Sequence, residues 1–228
     1  MLVAVLPLLA AIVAFVFAAQ LARQYAARRR DHALAWALAL GLFGVASAMV
    51  TVGVGLGWTP PVFGLYWIAG ALLNVPLLAV GQLMLMDPKR TVLYWTLAGV
   101  FTVWAVAFTL MAGFDQAVLA QASQQRSIPL GREVLDGELA YALARPFSYT
   151  FAVVVAGSLW SAIRTRRWGV LLIALGVTVA AMSSAFIRVG HGELFSVLLA
   201  AGVAVMYGGF RAAARPARAR RAPVPSST

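Results

Sequence analysis

Groups able to do chemistry are scarce in this chain, and their scarcity narrows its function. Its 228 residues hold two histidines, His32 and His191, seven carboxylates and no cysteine. A metal or haem site inside a helical protein needs several facing histidines, thiolates or carboxylates. His32 and His191 are expected on opposite faces of a membrane, so they cannot share a ligand. The absence of cysteine excludes disulfides, thiolate metal sites, iron–sulfur clusters and thiol-attached haem, and no cofactor is expected. None of the carboxylates falls at mid-membrane, which removes the usual proton-relay acids of pumps. Ser183 and Ser184 have no base in reach and read as packing residues. The best titratable group is an outer polar cluster, Arg188, His191 and Glu193, with Arg145 as a partner across the same surface. An ion pair in water at such a place contributes about 0–1 kcal/mol. These residues point away from an enzyme.

A different kind of chemistry is offered by "ALLNVPLLAVGQ", residues 71–82. Asn74, Pro76 and Gln82 stand inside one of the most apolar runs of the sequence. An amide at membrane depth must face protein or water rather than lipid. Pro76 lacks an N–H, and its ring crowds the carbonyl of Leu72, so a kink that frees an acceptor near Asn74 is expected. Trp67, Gly70, Asn74, Leu78 and Gly81 recur at helical spacing on one face, where the glycines let a neighbouring helix approach. Asn74, Pro76 and Gln82 are therefore the candidate solute site, or a contact between helices.

The elements that must position these residues follow from composition. The chain is 62% hydrophobic and 11% charged, far from the balance of a soluble domain. Seven apolar segments are long enough to cross a hydrocarbon core, near residues 2–22, 33–56, 62–86, 91–113, 146–163, 168–187 and 194–210. Each must be helical, because isolated strands in lipid leave their backbone groups unsatisfied. The fold expected is an all-α membrane bundle of seven transmembrane helices over residues 1–211. Asn74 falls at the middle of the third span, about 12 residues or roughly 18 Å from either end.

Charge orients the bundle. Arg23, Arg28, Arg29 and Arg30, then Lys89 and Arg90, then Arg164, Arg166 and Arg167, then Arg211, Arg215, Arg218, Arg220 and Arg221 gather on one side. Only Arg126, Arg132, Arg145 and Arg188 remain on the other. The lysine and arginine bias therefore predicts an outer N-terminus and a cytoplasmic C-terminus. The first segment lacks the basic n-region of a signal peptide and reads as a retained helix. The basic tail 212–228 is expected to be disordered and, with the inner loops, to touch anionic lipid headgroups rather than nucleic acid. The outer connection 114–145 is too long for a bare loop, and short interfacial helices are expected near 115–124 and 132–143.

Residues 15–41, "FVFAAQLARQYAARRRDHALAWALALG", align with 151–176, "FAVVVAGSLWSAIRTRRWGVLLIALG". Both run helix, arginine-rich inner turn, helix. Helices 1–3 and 5–7 would share one orientation with helix 4 linking them, a parallel three-plus-one-plus-three repeat of a kind found among transporters. A retinal pigment does not fit, since residues 193–210 contain no lysine and the chain's one lysine is Lys89. The plan is similar to that of SWEET and PQ-loop sugar transporters, but no Pro-Gln pair occurs. The strings "YWIAGALLNVPLLAVGQLML" (66–85), "RPFSYTF" (145–151) and "LFSVLLAAGVAVMYGGF" (194–210) resemble uncharacterised multi-pass membrane proteins from high-GC bacteria. That resemblance implies a seven-helix protein of a bacterial plasma membrane and no particular activity. Two functions are therefore expected to compete: a small-solute transporter with a central polar site on helix 3, and a non-catalytic scaffold or sensor subunit that binds a lipid or a membrane-protein partner.

Overall fold

The computed structural model describes residues 2–136, 138–165, 172, 175, 176, 179 and 192–214. Among these, α1 (Leu2–Arg28) and α2 (Asp31–Leu56) form an antiparallel pair. α3 (Pro60–Tyr66) runs on through a π-helical segment (Trp67–Leu73) into α4 (Asn74–Met86). A short 3-10 turn, Pro88–Arg90, leads into α5 (Thr91–Met111). Three short helices follow, α6 (Gln116–Gln125), α7 (Gly131–Val134) and α8 (Glu138–Leu143). Then come α9 (Arg145–Thr165) and α10 (Gly192–Ala214).

Among the described residues, five stretches are long and apolar enough to cross a membrane: Val5–Arg28, Asp31–Leu56, Pro60–Met86, Pro88–Met111 and Tyr141–Ser161. This fits a membrane protein. The span expected at 168–187 lies outside the described residues except at four single positions. The one expected at 194–210 falls within α10, a helix of 23 residues. The surface agrees with an apolar surrounding. On α5, Val92, Val103, Leu110 and Met111 are 69–86% exposed, a band that water would not tolerate on a monomer without cost.

Packing follows from small residues. Ala33, Ala35, Ala37 and Ala39 are buried along α2, and a Cβ on Gly44 would come within 2.8 Å of the Phe15 ring on α1. Such residues let backbones approach where dispersion, rather than water, must drive association. The α1–α2 turn is closed by Arg29, held in the left-handed region at φ 49°, its N–H donating to the Tyr25 carbonyl at 2.7 Å. α2 also packs on α4 and on the π segment, α4 on α9, and α1 on α10.

Residues 113–136 fold down as a cap over one end of this bundle. Phe114 and Leu135 form an isolated antiparallel bridge, flanked by Asp115 N–H to Val134 O at 2.8 Å and Asp136 N–H to Gly113 O at 3.1 Å. Asp115 caps α6, its carboxylate accepting from the N–H groups of Ala117 and Val118, as orphan amides at a helix start require. Leu119, Ala122, Ile128, Val134 and Leu135 are buried in one cluster with Trp58, Phe63, Trp67, Leu72 and Leu73. Trp58 ties the cap down: its backbone N–H donates to Ser123 Oγ at 2.7 Å and its indole N–H to the Ser127 carbonyl at 2.8 Å.

Candidate functional site

The proline expected to kink the third span acts further upstream than its position suggests. Pro76 is fully buried, and the backbone opens over seven residues, Trp67–Leu73, before α4 begins at Asn74. A π segment bonds i to i+5 and is wider than an α-helix. It relieves the crowding between the Pro76 ring and the carbonyls before it, which an α-helix would concentrate at Leu72. The expected kink is thus spread into a π segment that delivers Asn74 at its junction with regular helix.

That junction also divides the expected stripe. Gly70 meets Ala46 of α2, where an added Cβ would lie 2.8 Å from the alanine's own. Gly81 lies against the Trp36 side chain and the His32 carbonyl, and the Trp36 indole donates to the Leu78 carbonyl at 3.2 Å. These residues serve helix packing against α2. Trp67 instead lies beneath the cap, against Gly131, stacked on Phe63 with ring centroids 6.0 Å apart. It is buried. A spacing of 3.6 residues, assumed throughout, fails across a π segment, and the face it predicts splits there.

The two amides have opposite fates. Gln82 is 3% exposed; its Nε2 donates to Ser161 Oγ on α9 at 3.1 Å, and its side chain fills the space left by Gly157. It is a helix–helix contact. Asn74 Oδ1, by contrast, is buried with no hydrogen-bond partner among the described residues. Three further side-chain atoms among the described residues share that condition: Ser47 Oγ on α2, Trp67 Nε1 at the start of the π segment, and Thr109 Oγ1 on α5. A buried polar group left without a partner costs about 1–3 kcal/mol, so four of them, on one backbone irregularity, at its junction with α4 or on helices packed against it, need an explanation. Ser47 and Thr109 escape a reading of the sequence, because hydroxyls on apolar helices commonly bond their own backbone. Thr51, Thr96 and Thr102 do so, to Ser47, Val92 and Ala98 carbonyls.

Of the outer polar cluster, Arg145 opens α9 and is exposed. Arg188, His191 and the side chain of Glu193 lie outside the described residues. No group of three or more histidines, cysteines or carboxylates able to hold a metal ion occurs among the described residues. The chain matches no family model, no curated protein and no solved structure.

Proposed function

We propose that the chain is a seven-helix integral protein of a bacterial plasma membrane, N-terminus outside and C-terminus cytoplasmic, that moves a small polar solute through a central site at Asn74. The observation that carries this reading is the Asn74 carbonyl oxygen, buried without a partner where the π segment meets α4. Irregular backbone at membrane depth is tolerated where it lines a path or is buried in protein, and π segments recur at functional sites. Gln82 and Pro76 support that geometry, one by fixing α4 to α9 and the other by opening the backbone. A parallel repeat agrees with the packing: exchanging the first three spans with the last three turns the α4–α9 contact into the α10–α1 contact, and both pairs occur. Each carries a side-chain hydrogen bond, Gln82 to Ser161 in one and Gln20 Nε2 to Tyr207 OH at 3.1 Å in the other. The basic inner loops and tail hold the bundle against anionic headgroups.

The test is uptake of radiolabelled glycerol, glucose, alanine and urea into proteoliposomes carrying the full chain. At least one should enter faster than into protein-free vesicles, and Asn74→Leu should abolish that entry while eluting as a folded, monodisperse protein. Unchanged entry in the variant overturns the site. Entry of none overturns transport and favours the second reading, a scaffold or sensor subunit, which the open apolar face of α5 supports as a place for a membrane-protein partner.

A further inference from the structure

We infer that the four orphaned atoms mark a polar route from the cap to Asn74, and that it admits a small uncharged solute bearing hydroxyl or amide groups. This rests on the reading of Asn74 as a solute site and adds its ligand class and direction of approach. Ser47 and Thr109 are each 2% exposed and Trp67 8%, so none is satisfied by an outer aqueous phase. All belong to the π segment or to helices packed on it: α2 and α5 both contact Trp67–Leu73, and Asn74 follows it directly.

Their depths are graded. Thr109 stands two residues from the cap-side end of α5 at Met111. Trp67 lies about 10 Å below Pro60 and Ser47 about 14 Å below Leu56 at 1.5 Å per residue, and Asn74 lies one π segment deeper than Trp67. The cap meets this series at Trp67, whose ring lies against Gly131. The four groups offer an indole donor, an amide acceptor and two hydroxyls that do both. No Asp, Glu, Lys or Arg occurs in residues 32–86 or 91–113. An ion on this route would be buried without a counter-charge, which is prohibitive. An amide or hydroxyl solute can donate to Asn74 Oδ1 and accept from the Trp67 N–H, completing what the protein leaves open.

The chain contains no cysteine, so single substitutions report without background. Ser47→Cys, Thr109→Cys and Asn74→Cys in the full-length protein in proteoliposomes should be alkylated by iodoacetamide roughly tenfold faster than Val103→Cys, because only a hydrated thiol ionises to the reactive thiolate. Val103 is 69% exposed on the apolar face of α5 and serves as the lipid-facing reference. Iodoacetate, close in size but anionic, should lag behind iodoacetamide at all three positions once rates are normalised to free cysteine. Labelling of Asn74→Cys alone overturns the route and leaves the Asn74 site standing. Labelling of none overturns the route, while the uptake assay decides the site separately. Equal rates for iodoacetate overturn the uncharged class. If one variant does not fold, the other two read the same route.

Discussion

Asn74 and Gln82 are two amides about two turns apart on one helix, in surroundings of similar hydropathy, and the structure treats them oppositely. Gln82 faces α9 where Gly157 leaves room and Ser161 supplies a partner. Asn74 sits where the backbone has just changed its winding, and its carbonyl oxygen has no partner among the described residues. The difference teaches that a polar residue at membrane depth is not a site by virtue of its chemistry. An amide that its neighbours satisfy is a packing contact, and one that they leave open is a candidate.

Four substitutions break or sharpen that contrast. The largest effect should come from Gly157→Leu, which drives a side chain into Gln82 and Met86 and should cost about 2–3 kcal/mol through overpacking, read as a lowered Tm in detergent. Gln82→Leu removes the bond to Ser161 and should cost about 1 kcal/mol with solute entry retained; loss of entry would show that the two amides act together. Asn74→Leu should do the reverse, gaining up to about 1 kcal/mol because a burial penalty disappears, while entry is lost. A clear destabilisation there would mean that Asn74 is bonded across helices after all. Thr109→Val keeps the branched shape and deletes only the orphan hydroxyl, so stability should rise by no more than about 0.5 kcal/mol and any larger change should appear in solute entry.

Much of the fold was legible because hydropathy and length report directly on what a helix must bury. The apolar runs at 2–22, 33–56, 62–86, 91–113 and 146–163 sit on the five described stretches that are long and apolar enough to cross. The glycines at 70 and 81 were readable as close approaches, and α2 provides the neighbour. The π segment was not readable, because proline announces that a carbonyl loses its donor but not how many residues share the distortion. Trp58 was missed for a related reason. It lies between two helices, outside any periodic pattern, and its partners Ser123 and Ser127 are far along the chain. Only the Gly-Trp-Thr-Pro-Pro run at 57–61 hinted that a large aromatic side chain sits at a rigid turn. Ser47 and Thr109 carry no sequence signal at all, since what distinguishes them is the absence of a bond that their residue types usually make.

The Trp58 latch has a consequence for the conditions under which the cap stays seated. Its two hydrogen bonds are neutral, and the surfaces it joins are apolar. Among the described residues the cap's ion pair, Arg132 with Glu133, is internal to the cap and exposed. Ionic strength screens charges and leaves neutral contacts nearly untouched. The cap should therefore hold equally well in dilute and in concentrated electrolyte, and only agents that weaken apolar association should lift it.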